Sequence, residues 1–169
     1  MLNGFPRKGT CSRPAGWRNQ SAAEEAIVAY AWALDSKDWP ALRALLSDGV
    51  EMDFPGYGGM VDDPDVIVRL LRTLLEPLQG TQHAITSVMA GAEDETGRLS
   101  ARAYYRSIHV AQGDGARTFT VTGVYTFDVI RRADRVQLTQ VVPQVLATEG
   151  DSTVLNLDAL AAAASQYRG

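Results

Sequence analysis

The chain has 169 residues, the length of one domain, with 46% hydrophobic and 21% charged residues, so one ordinary core can hold it and global disorder is excluded. Its 16 Lys and Arg against 20 Asp and Glu leave a net charge of −4, which argues against nucleic acid or an anionic membrane surface as a partner. The single cysteine, Cys11, excludes an intrachain disulfide framework and a cysteine-rich zinc site.

The first residues, Met1-Leu2-Asn3-Gly4-Phe5-Pro6-Arg7-Lys8, lack the apolar stretch of a signal peptide, and no apolar run approaches the ~18 residues of a membrane span. A cytoplasmic location is expected. Residues 1–20 carry no apolar period and read as a tail, ordered only where Trp17 docks. Ser21 is a candidate helix N-cap, with Glu24 completing a capping box. Ala26, Ile27, Tyr30, Ala31 and Leu34 then follow at helical spacing and predict a helix over 22–35. Asp38 caps a second short helix with Pro40 in its first turn.

Residues 50–54 alternate as a short strand, and Pro55-Gly56-Tyr57-Gly58-Gly59 is a loop that reads as a flap over a pocket mouth. Asp62 or Asp63 before Pro64 starts a third helix, carried to about Leu78 by Ile67, Leu70, Leu71, Leu74 and Leu75. From Gly80 the period changes to two. Four strands are predicted near 81–91, 98–111, 116–131 and 135–147, joined by short links and therefore antiparallel. Residues 151–169 read as a loop and a short terminal helix, outside a domain spanning 21–150. The fold class is α+β: a curved antiparallel sheet wrapped by N-terminal helices into a cone with an enclosed pocket.

The chain has two histidines, and both fall in strands. Alternation puts His83 on one face with Ile85, Ser87 and Met89. It puts His109 with Leu99, Ala101, Ala103, Tyr105 and Ser107, opposite Arg102, Tyr104 and Arg106. A histidine aimed into a pocket from a rigid strand suits general acid/base work; the bland alternative is a hydrogen-bonded core histidine. Asp35 ends the first helix, where the helix dipole disfavours a carboxylate. It either orients a histidine, or caps the next helix or pairs with Lys37. The three residues could also be a two-histidine, one-carboxylate metal site, but no local spacing supports a metal. Tyr30 and Tyr57 are candidate pocket phenols, while Tyr104, Tyr105 and Tyr125 read as packing material.

The string Ala33-Leu34-Asp35-Ser36-Lys37-Asp38-Trp39, followed by Thr81-Gln82-His83 and the strand residue His109, resembles the SnoaL-like branch of the nuclear transport factor 2-like superfamily, and within it the scytalone dehydratases. The resemblance covers about 20–147 and implies the same cone. It implies an acid/base enzyme without a cofactor, with Asp35, His83 and His109 as the catalytic residues. The family's tyrosines fall on Leu34 and Phe54, and its serine and asparagine fall on Val124 and Thr126 in an ungapped alignment. Tyr30, Phe54, Tyr57, Val124 and Thr126 are thus the expected substrate contacts, with Tyr30 or Tyr57 substituting for a lost phenol. The substrate implied is a small cyclic carbonyl or polyketide-type metabolite, undergoing dehydration, isomerisation or cyclisation. Two alternatives stay open: a pericyclic-type cyclase that works by pocket shape, and a non-catalytic assembly module whose cone is filled by Met52, Met60 and Met89. A homodimer or homotrimer is expected, paired through the apolar sheet face that lies away from the pocket.

Overall fold

The computed structural model describes residues 16–54, 59–113, 117–132 and 135–167. In chain order these form α1 (Trp17–Asp35), α2 (Trp39–Leu45), β1 (Leu46–Phe54), β2 (Gly59–Val61), α3 (Pro64–Leu75), β3 (Gly80–Glu93), β4 (Arg98–Val110), β5 (Thr118–Arg132), β6 (Arg135–Gly150), a short 3-10 turn (Ser152–Val154) and α4 (Leu157–Tyr167). The strands make one six-stranded sheet in the order β2-β1-β6-β5-β4-β3. The expected α+β cone is therefore present. Tyr57 and Cys11 lie outside the described residues.

Two helices start where the sequence predicts. The Asp38 carboxylate accepts from the Ala41 N–H at 3.0 Å. The Asp63 carboxylate accepts from the Asp65 and Val66 N–H groups at 2.8 and 3.0 Å, with Pro64 next in line. α3 buries one stripe of Val66, Ile67, Leu70, Leu71 and Leu75 and stops at Leu75, three residues short of the expected end. Leu78 is still buried, turned inward by its N–H donating to the Leu75 carbonyl.

α1 differs from expectation at its start. It begins at Trp17 with Gly16 as N-cap and no capping side chain, so Ser21 lies inside the helix. The reason is tertiary. The Gln20 amide donates to the Val88 carbonyl at 2.8 Å and accepts from the Ala90 N–H at 3.1 Å, tying the early turns to β3. Ala22, Ala23 and Ala26 are buried and keep the helix close to the sheet. Trp17 does not dock; it is 76% exposed.

β3 to β6 form the expected antiparallel meander. β1 is longer than expected; it pairs with β2 in antiparallel fashion on one edge and adds to β6 in parallel on the other. In β4 the alternation holds without interruption: Leu99, Ala101, Ala103, Tyr105, Ser107 and His109 are buried, while Arg102, Tyr104 and Arg106 are exposed. β3 does not keep step. One extra residue separates Thr86↔Tyr104 from Met89↔Arg102, with Ser87 at φ 54°. This bulge turns Val88 and Ala90 inward and leaves Met89 60% exposed, so Met89 does not share the face of His83. Further register shifts between β3 and β4 and between β5 and β6 bend the meander around α1.

Inside the curve, Phe127 is fully buried, edge-on to Tyr30 at 5.7 Å between ring centres and tilted against Tyr125 at 5.0 Å. Phe127→Ala is expected to cost about 3–5 kcal/mol. Urea unfolding checks this as a lower midpoint at unchanged slope; a loss below 1 kcal/mol would contradict the packing described.

Candidate active site

α1 ends on Asp35, and its carboxylate meets β3 at two points. One oxygen (Oδ2) accepts from the His83 backbone N–H at 2.7 Å. The other (Oδ1) lies 2.7 Å from His83 Nδ1. β3 is an edge strand of the sheet. Asp35 at one end of α1 and Gln20 near the other therefore satisfy edge groups that would otherwise face no strand. Two donors aimed at one carboxylate offset the unfavourable helix C-terminus. The competing explanations for Asp35 fall away. Asp38 caps α2 itself, and the Lys37 ammonium donates instead to the Glu76 and Leu78 carbonyls at 3.1 and 2.6 Å.

His83 faces Ser107 across the β3–β4 ladder, and His109 faces Thr81. The two histidines are thus diagonal neighbours on the inner face, ring centres 6.0 Å apart at 90°. His109 Nδ1 is 3.1 Å from the Phe119 carbonyl. A carbonyl only accepts, so Nδ1 carries the proton and neutral His109 presents the Nε2 lone pair. The same logic applies to His83: the Asp35 carboxylate accepts from Nδ1–H, so neutral His83 also turns a bare Nε2 outward. The side chains of His83 and Asp35 are only 5% and 17% exposed, which shields their bond from solvent.

Both histidines line a cavity of about 780 Å³, a volume within the range of small-molecule sites. Its walls are largely apolar and aromatic. Tyr30, Phe54, Tyr105, Phe119 and Tyr125 line it, and Leu155, Leu157 and Leu160 close it from the segment after Gly150. Of the expected contacts, Tyr30 and Phe54 line the cavity. Val124 and Thr126 do not. β5 runs without an inserted residue from Phe119 to Val129, so its odd-numbered residues face inward and these two lie on the outer face. Thr118, Thr120, Thr122, Val124 and Thr126 share the outer side. The inward neighbours Tyr125 and Phe119 take up the cavity wall. Tyr105 had the clearest signal for a cavity role, since it shares the uninterrupted face of His109. The wall contributed after Gly150 had none, because it depends on α4 packing against α3.

Burial governs the electrostatics. His109 is 4% exposed, and desolvation pulls its pKa down to about 4 despite the Phe119 carbonyl, so it is neutral at neutral pH. Burial raises all three phenols: Tyr105 to about 12, and Tyr30 and Tyr125 further, the last two sharing a hydrogen bond. They are therefore protonated donors at ordinary pH. Among the described residues, no three His, Cys, Asp or Glu side chains converge as a metal-ligand set.

The lowered pKa of His109 makes stability depend on pH. The unfolded chain binds a proton at His109 below about 6.5, and the folded chain only below about 4. This contribution is full above 6.5, falls as pH falls through that window and is lost below 4, amounting to about 3 kcal/mol in all. Unfolding free energies at pH 7.5 and 4.5 are expected to show that His109→Gln loses about 2–3 kcal/mol less between them than the unsubstituted protein. Equal losses would contradict a buried neutral His109.

The model of the SnoaL-like domain family matches residues 18–141. The protein Kfla4162 of Kribbella flavida superposes with a TM-score of 0.71 at 22% identity, covering 85% of this chain and 97% of that one. A protein of Novosphingobium aromaticivorans provisionally assigned as a scytalone dehydratase does so with 0.71 at 18% identity, covering 80% and 89%. The hexachlorocyclohexane dehydrochlorinase LinA-type3 of Novosphingobium barchaimii gives 0.68 at 12% identity, covering 80% and 92%. These likenesses carry the fold. No curated protein sequence matches the chain. On the family match and the shared cone, the chain belongs to the SnoaL-like domain family of the nuclear transport factor 2-like superfamily.

Proposed function

We propose that this protein is an acid/base enzyme that needs no bound cofactor and acts on a small, uncharged cyclic carbonyl compound of polyketide type. One observation carries the reading: Asp35 grips His83 by both ring and backbone and leaves its Nε2 facing a largely apolar cavity. A half-buried carboxylate that fixes a histidine tautomer and balances the charge developing on the ring is an arrangement suited to proton abstraction. Among the described residues, the lining includes Asp53 but no lysine or arginine, which favours an uncharged substrate over an anion. Among the enzyme-named similar structures, one is provisionally assigned as a dehydratase and one is a dehydrochlorinase, names that describe loss of water and of hydrogen chloride.

In this reading neutral His83 takes a proton at Nε2 from the carbon beside the carbonyl. The C–H electron pair moves into an enolate. The enolate collapses and expels a β-hydroxyl, which takes the proton back from His83 Nε2–H and departs as water. Where the enolate is conjugated with a further double bond, return of the proton to a different carbon instead gives an isomerisation. One base can serve both steps if they occur on the same face of the ring. In this reading His109, kept neutral at working pH by burial, serves as a hydrogen-bond acceptor. Its Nε2 accepts a hydrogen bond and positions the departing hydroxyl.

Against a non-catalytic assembly module stands the state of the methionines. Met52 is buried, but Met60 and Met89 are 48% and 60% exposed, so they do not plug the cone. The test is deuterium incorporation beside the carbonyl of 1-tetralone in D2O, followed by proton NMR. His83→Gln and Asp35→Asn are expected to slow it by about 10²–10⁴-fold. Exchange unchanged in both variants would sink the reading. Activity lost only when the cavity is filled, as by a large residue at Val121, would favour the shape-driven cyclase.

A further inference from the structure

A second concave site lies between the start of α1 and the hairpin end of β5 and β6. It has a volume of about 400 Å³ and shares no lining residue with the histidine cavity. We propose that this groove binds a small phosphorylated molecule carrying an aromatic ring, of the nucleoside diphosphate class, with Arg18, Arg131 and Arg135 on its phosphates and Trp17 on its ring. The site is independent of the chemistry assigned to His83.

The charge here runs against that of the whole chain, which is net negative. Four other arginines, Arg43, Arg72, Arg98 and Arg117, each meet a carboxylate. Around the groove Arg18, Arg131 and Arg135 stand with one acidic residue, Glu25, and none of the three forms an ion pair among the described residues. Arg132 lies directly opposite Arg135 in the β5–β6 ladder, where like charges repel. The neighbouring sequence offers little to neutralise them. The β5–β6 turn adds Asp134, while residues 1–15 add Arg7, Lys8 and Arg13 and no Asp or Glu. α1 also starts at this groove with no acidic residue in its first turn, so its dipole adds to the same positive field. Cations gathered in a concavity without protein counterions suit an anionic ligand.

Arg131 is fixed in place. Its Nη2 donates to the Arg18 carbonyl at 2.8 Å, bridging β5 to α1. Its remaining N–H groups can make the bidentate contact by which a guanidinium holds a phosphate. Trp17 supplies the stacking surface. The Arg18 guanidinium lies over its ring, 5.4 Å from the centre, yet the residue is 76% exposed. An indole left this exposed beside arginines is a platform for a planar ring. The volume lies at the small end of small-molecule sites, which favours one nucleotide-sized molecule over a polymer.

The test is isothermal titration calorimetry of the full chain at low salt, with ADP and with inorganic pyrophosphate. ADP is expected to bind about tenfold more tightly than pyrophosphate, because only ADP can stack on Trp17. Arg135 and Trp17 are exposed, so changes there spare the core. Arg135→Glu is expected to weaken both ligands by about tenfold or more. Trp17→Ala is expected to weaken ADP about tenfold and leave pyrophosphate unchanged. His83→Gln is expected to change neither. Circular dichroism checks that each variant is folded. No ADP binding at millimolar concentration, or equal affinity for ADP and pyrophosphate, would overturn the proposal. So would ADP binding that is unmoved by Arg135→Glu or by Trp17→Ala, or that is lost in His83→Gln.

Discussion

The site depends on one constraint, the exposed backbone edge of β3. An edge strand needs partners for its N–H and C=O groups, and here a helix supplies them through side chains. Gln20 serves the bulged end and Asp35 the other, on the same helix. Because one Asp35 oxygen is held by the His83 backbone, the other is placed at the His83 ring without freedom to drift. The contact that closes the sheet is therefore the contact that sets the tautomer of the base. The cap of α2 and the Lys37 anchor to the end of α3 fix the chain just beyond Asp35, so the carboxylate is held from both sides.

The cavity follows from the same economy of contacts. α1 lies near β3 on alanines, while the meander curls away through its bulges and leaves space lined by aromatic residues. Burial along that wall keeps His109 neutral and the phenols protonated. In such surroundings a single histidine backed by a carboxylate, with neutral donors and acceptors beside it, can move a proton without charged groups competing for solvent.

Much of this was legible in the sequence. The uninterrupted alternation of Leu99 to His109 made the inner face of β4 plain, and the Asp38 and Asp63 caps announced their helices through local chemistry. What was not legible is non-local. Ser21 and Glu24 have the pattern of a capping box, yet Gln20 reaching to β3 moved the helix start. The bulge at Ser87 separated Met89 from His83, and nothing in the local composition signals a positive φ at a serine. Val124 and Thr126 were misplaced by an alignment without gaps, since a shift of one residue exchanges the two faces of a strand. The parallel pairing of β1 with β6 joins segments far apart in sequence and has no local signature.

The central claim is that Asp35 fixes the proton of His83 on Nδ1 and frees Nε2 for the cavity. Two-dimensional ¹⁵N–¹H NMR of the histidine rings tests it directly, with His83→Gln assigning the signals. The account predicts that the neutral form of His83 is protonated at Nδ1 alone, and that Asp35→Asn disturbs this preference. Neutral His83 protonated at Nε2, or a tautomer indifferent to Asp35→Asn, would contradict it.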